Sequence, residues 1–272
     1  MASEPDARES DVPATAIPAP ARLSDDGDED IPVIVEDMLH QERVDLEAGM
    51  SPVPRATILL IVACLVVYGR QVQVGGLANA ARVIQTGATH RDEVLDGQAW
   101  RLMSGAFMHA NLEHLLGNMA LLYILGMACE HAFGVQPFLF LYVAACIAGG
   151  LVTMTTEVPA VGASGAIFGL AGAIISLVYV RRRRIELRDH RVGIVLAIWA
   201  VYTLALGLLS PIVSNVCLLG GLLGGLILGA ILPPAILIDR RELARRPITR
   251  LQGALALGIL AVSAILFVPH LR

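Results

Sequence analysis

The 272-residue chain is 56% hydrophobic and only 16% charged, with a mean hydropathy of +0.67, far more apolar than an average soluble domain. That composition excludes a soluble globular protein and places the chain in a lipid bilayer. The formal net charge of −4 conceals an asymmetry, because residues 1 to 50 hold 14 acidic residues and 3 arginines while the remainder holds 10 and 17.

The chain therefore opens with an acidic tail, residues 1–50, followed by a basic membrane domain, residues 51–272. The tail has neither a basic n-region nor an apolar h-region, so no cleavable signal peptide is expected. Its Pro-, Ala- and acid-rich stretch through Asp30 cannot bury enough apolar surface to offset chain entropy and is expected to be disordered. Ile31 to Leu46 carries apolar residues at irregular spacing, which leaves two readings open: a solvated tail, or a short helix on a cytoplasmic partner.

After Ser51, apolar segments near 56–76, 112–130, 135–157, 163–180, 192–209, 215–238 and 251–268 approach the length needed to cross about 30 Å of hydrocarbon. Seven spans are predicted, the first interrupted by Arg70, which must snorkel or lie at the interface. Arg181 to Arg184, Arg188 and Arg191 crowd one connecting loop; Arg240, Arg241, Arg245, Arg246 and Arg250 crowd another. The positive-inside rule makes both loops cytoplasmic. Counting spans outward puts the N-terminus inside, the loop 77–111 and the C-terminus outside, and the whole chain in a plasma membrane, expected to be prokaryotic. The cysteines Cys64, Cys129, Cys146 and Cys217 lie in apolar stretches without metal-ligand spacing and read as small core residues.

This orientation brings two polar clusters to the same outer depth. Ser164 stands at the mouth of its span in Gly162-Ala163-Ser164-Gly165, a hydroxyl ringed by small residues and a candidate nucleophile. Asn111 is a candidate N-cap for the second span, which then carries His114 and Asn118 on one face, with His109 just ahead. Taken alone, these residues would serve equally well to satisfy a helix end, although polar groups at membrane depth are functional suspects by default. Glycine stripes supply the link: Gly165, Gly169 and Gly172 on the Ser164 span, and Gly220, Gly221, Gly224, Gly225 and Gly229 on the sixth, at spacings that let helices approach closely in lipid. Leu218, Gly221 and Gly225 share one face of the sixth span, so Leu218 is expected to point at Ser164.

Together these residues resemble the rhomboid family of intramembrane serine proteases. The likeness covers roughly residues 56–268 and includes Trp100-Arg101 in the outer loop, His109, His114 and Asn118, the Ser164 motif and the glycine-rich sixth span. It implies an all-α, polytopic membrane protein with a six-helix core plus one extra C-terminal helix. Ser164 would be the nucleophile, His114, Asn118 and the Ser164 backbone N–H would form the oxyanion site, and His109, Gly162 and Gly165 would support it. Neither metal nor cofactor is implied, and the partners would be transmembrane segments of client membrane proteins rather than nucleic acid. In the family a histidine on the sixth span serves as base within a pattern like Asn-Ala-x-His-x-Gly-Gly. Here Asn215, Gly220 and Gly221 match, but Leu218 stands at the histidine position. The departure implies a weak or inactive form, a pseudoprotease. The alternative is an active endopeptidase with a surrogate base, for which His90 and His109 are candidates, since His131 and His190 fall on the cytoplasmic side. A transporter or channel would want charged residues in mid-span, which are missing apart from Arg70.

Overall fold

Each apolar run of the sequence becomes a helix, because a backbone in lipid must satisfy its own N–H and C=O groups. A computed structural model describes residues 43–186, 191–209, 214–238 and 240–271, and the fold is all-α and polytopic. The apolar helices are α1 (Arg55–Gln73), α5 (Leu112–Phe133), α6 (Val135–Thr153), α7 (Ser164–Val180), α8 (Val192–Leu209), α9 (Asn215–Ile231) and α11 (Pro247–Phe267). Three short helices, α2 (Ala80–Gln85), α3 (Arg91–Leu95) and α4 (Arg101–Ser104), structure the loop after α1, and α10 (Arg240–Arg245) precedes α11. Five segments, Arg55–Gln73, Leu112–Phe133, Val135–Thr153, Asn215–Leu237 and Pro247–Leu271, are long and apolar enough to cross a membrane by length and composition, and Ser164–Val180 and Ile194–Ala205 are shorter apolar helices.

The ends of the spans differ from the apolar runs for local reasons. The third run was expected to reach 157, but α6 stops at Thr153, where the hydroxyls of Thr155 and Thr156 donate to the carbonyls of Val152 and Thr153 and so compete with the helix. The sixth stops at Ile231, not 238, because Pro233 and Pro234 cannot continue it. The last begins at Pro247, four residues before the apolar run, since proline is preorganised for a first helical turn. Residues 1–42 of the acidic tail, and His190, lie outside the described residues. Of the tail's end, β1 (Val44–Asp45) pairs in parallel with β2 (Ile185–Glu186): the Val44 N–H donates to the Arg184 carbonyl at 2.9 Å and the Leu46 N–H to Glu186 at 3.0 Å.

Backbone contact holds α7 against α9. A methyl group on Gly221 would overlap the Gly165 carbonyl, and one on Gly225 the Gly169 carbonyl; on Gly229 it would lie 2.5 Å from the Ala173 oxygen. In lipid such close approach supplies dispersion and leaves no room for side chains, so the two stripes fix the register of α7 on α9. Gly220 meets α6 in the same way, against the Ala148 carbonyl.

At the far end of α5, the Glu130 carboxylate accepts from the Ala56 N–H at 3.2 Å, the Thr57 N–H at 2.9 Å and the Thr57 hydroxyl at 2.9 Å. These are first-turn donors of α1, otherwise orphaned, and the negative charge also meets the positive end of the helix dipole. Arg70, near the other end of α1, is exposed and donates to Gln73 at 2.9 Å, consistent with an interfacial position.

The loop 74–111 is pinned from within by Arg101. Its buried guanidinium donates to the carbonyls of Ile84 and Ala88 and, at 2.8 Å, to Gln98, and lies 4.9 Å from the Trp100 ring centroid. An antiparallel bridge between Thr89 and Ala160, and a 2.9 Å bond from the Gly162 N–H to the Gly105 carbonyl, fasten this loop to the segment that precedes Ser164. From the other side, Phe267 of α11 packs 6.0 Å from Trp100 and against Gly87. The seventh helix thus packs along α6 and also grips the outer loop.

Candidate active site

Asn111 caps α5 as its sequence suggests, its side-chain oxygen accepting from the His114 N–H at 2.8 Å. The cap sets the start of the helix, and with it the face on which His114 and Asn118 project one turn apart. Asn118 is buried at 6% exposure, yet neither its Nδ2 nor His114 Nδ1 finds a hydrogen-bond partner among the described residues. Polar groups left unpaired at that depth do not stabilise the fold, so satisfying a helix end does not explain them. That work is done by Asn111.

Opposite them stands the loop leading into α7. Gly162 adopts a φ of +114°, a conformation open to glycine at little cost, and its backbone lies directly under the His114 ring and the Asn118 amide. Ser164 is the first residue of α7. Its backbone N–H therefore belongs to the free first turn, where helix donors gather at the positive dipole end. Gly165 faces the Cys217 sulfur and the Gly221 backbone, so α9 can pass close to the first turn that carries Ser164.

A cavity of about 120 Å³ joins these groups; its lining includes His114, Asn118, Ser164, Thr203, Cys217 and Leu218. The structure thus brings together Ser164, His114, Asn118 and Leu218 from three helices. Leu218 is 1% exposed and packs with Phe168 and Ala200. Among the described residues the Ser164 hydroxyl makes no side-chain hydrogen bond, and the cavity's one imidazole is that of His114.

His109 does not line this cavity. It is fully buried one layer behind, its ring 5.3 Å from that of His114 in an edge-on contact, and its backbone N–H donates to Gln71 at 3.1 Å. Burial, with the neighbouring His114 ring, holds its pKa well below the ordinary histidine range, so it is neutral at physiological pH. His90 is farther removed: it bonds Glu93 within the outer loop and shares no lining with Ser164. His131 sits in the last turn of α5, at the opposite end from His114.

Sequence reasoning missed Cys217, Thr203 and Ser214 as neighbours of the site. Cys64, Cys129 and Cys146 are buried core thiols as expected, whereas Cys217 is partly exposed and lines the cavity beside Ser164. Its position next to Leu218 on a helix already aimed at Ser164 was the available signal. Thr203 comes from α8, whose sequence carries no polar cluster to mark it.

The chain is similar in sequence to known proteins of one family. A rhomboid domain is matched over residues 96–235. The chain is 30% identical over 223 residues to the Rhomboid protease GluP of Bacillus subtilis, covering 81% of this chain and 43% of that protein. It is 37% identical over 150 residues to RHOMBOID-like protein 5 of Arabidopsis thaliana, covering 54% of this chain and 48% of that one. It is 36% identical over 141 residues to the Putative rhomboid protease YdcA of Bacillus subtilis, covering 50% and 68%. The chain spans under half the length of the first two of these relatives. With the domain matched over half of its residues, and the Ser164, His114 and Asn118 cluster set on α5 and α7, the chain belongs to the rhomboid family.

Proposed function

We propose that this rhomboid-family protein engages transmembrane segments of client membrane proteins at the Ser164 site and cleaves them weakly or not at all. Ser164 is the nucleophile in this reading, with His114, Asn118 and the Ser164 N–H as the oxyanion groups. The observation that carries it is Leu218. A buried leucine packed on Phe168 occupies the place from which a base would take the Ser164 proton. A general base contributes about 10²- to 10⁴-fold, and loss of the histidine from a soluble serine protease costs about 10⁶ in turnover. What survives is binding and oxyanion stabilisation, which hold a carbonyl without activating the attack.

A second reading rests on His114, whose ring shares the cavity with Ser164. As a surrogate base it would make the protein an active intramembrane serine endopeptidase; its GluP relative is named a rhomboid protease. A serine-directed fluorophosphonate separates the two. We expect negligible labelling of Ser164; labelling that is fast and lost in both Ser164→Ala and His114→Ala would establish the surrogate instead.

The arginines of 181–184 and 240–250 support a cytoplasmic N-terminus and an outer-face site, with the acidic sequence ahead of β1 available to a cytoplasmic partner. In intact cells, an impermeant thiol reagent should label Asp96→Cys and spare Glu186→Cys; the reverse pattern would invert the topology.

A further inference from the structure

Away from Ser164, an open apolar groove of about 520 Å³ runs between α1 and α11. Leu60, Ala63 and Val67 form one wall, Leu260 and Phe267 the other, and Arg55 stands at one end. Its rims, Leu59 and Leu257, are 69% and 58% exposed, as side chains facing lipid are. Val135 lines both this groove and a second, more polar cavity of about 440 Å³ that contains Glu130 and Thr249. Thr249 is 2% exposed, and its hydroxyl has no hydrogen-bond partner among the described residues. Arg55 is exposed, and its guanidinium makes no hydrogen bond or ion pair among the described residues.

We propose that these two adjoining spaces form a phospholipid site, with one acyl chain in the groove, the phosphate at Arg55 and the headgroup at Thr249. Length and charge select this occupant. Arg55 to Val67 spans 12 helical rises, about 18 Å at 1.5 Å each, close to the roughly 15 Å that one leaflet contributes to a 30 Å hydrocarbon core. An extended acyl chain of that length can lie along the groove. The free guanidinium at the polar end matches a phosphate, for which arginine supplies paired donors. Beyond it, an unpaired hydroxyl and a carboxylate suit the amine or hydroxyl of a headgroup. The site borders α11, the helix that grips the outer loop through Phe267, so a bound lipid would brace α1 against α11.

Native mass spectrometry of the full chain, released from mild detergent with added phosphatidylethanolamine, phosphatidylglycerol or diacylglycerol, tests this. One phospholipid should be retained per chain and diacylglycerol should not. Arg55→Ala, an exposed change, should weaken retention about tenfold or more; Arg55→Lys should keep part of it, and Ala63→Trp should block the groove. If Ala63→Trp fails to fold, Arg55→Ala decides alone. Equal retention of diacylglycerol, or unchanged retention in Arg55→Ala, would overturn the proposal. So would a photoreactive transmembrane peptide that cross-links to Leu60 or Leu260 while added phospholipid fails to displace it.

Discussion

Gly162 lies hard against His114: a methyl group built on Gly162 would sit 2.5 Å from the imidazole Cε1 and 3.1 Å from Asn118 Nδ2, on a backbone whose φ of +114° already disfavours any side chain. The glycine is thus required twice, by conformation and by space. Gly162→Ala should cost about 1–3 kcal/mol for the backbone and a similar amount for overpacking, seen as a lowered melting temperature in detergent. An unchanged melting temperature would mean that the loop relaxes away from α5 and that the Ser164 site is not held by this contact.

Glu130 is a structural counterpart at the other end of α5. Glu130→Gln keeps the shape but removes the charge from three hydrogen bonds to the start of α1. Hydrogen bonds to charged groups are worth about 1.5–3 kcal/mol, so the melting temperature should fall clearly. Glu113→Gln, at an exposed position on the same helix, is the control and should change little. Equal effects of the two would show that Glu130 acts through net charge rather than through the cap.

His109 makes stability depend on pH. Its folded pKa is lowered by burial and by His114, whereas in the unfolded chain it returns to about 6.5. Below that value the unfolded state binds the extra proton, so stability is fully present above about pH 6.5 and is lost progressively as the pH falls toward the folded value. Melting curves between about pH 7.5 and pH 5 should show this decline, and His109→Gln should make it shallower. An unchanged slope after the substitution would assign the effect to other groups.

Leu218→His tests directly whether a base at this position is what the proposed site lacks. Placed in the cavity it shares with Ser164, the imidazole should raise cleavage of a test transmembrane substrate by about 10²-fold or more, at a packing cost of about 1–3 kcal/mol against Phe168 and Ala200. The gain should vanish in Leu218→His with Ser164→Ala. If the unaltered protein already cleaves and Ser164→Ala abolishes it, the pseudoprotease reading is wrong. If Leu218→His folds and stays inert, the site has drifted by more than one residue, and a binding role gains ground.

The sequence by itself determined the class, the seven apolar helices, the Asn111 cap and the glycine seam, because each rests on a local property: hydropathy, capping chemistry or small-residue spacing. It also placed Leu218 on the face toward Ser164, since helical periodicity links residue 218 to Gly221 and Gly225 across a seam in which glycine alone fits. Tertiary structure alone decided the rest. Glu130 caps a helix that begins 75 residues earlier in the chain, Cys217 and Thr203 reach the cavity from α9 and α8, and His109 falls behind His114 instead of beside Ser164. No local pattern encodes such neighbours, because the contact exists only once separate helices have docked and their relative rotation is fixed.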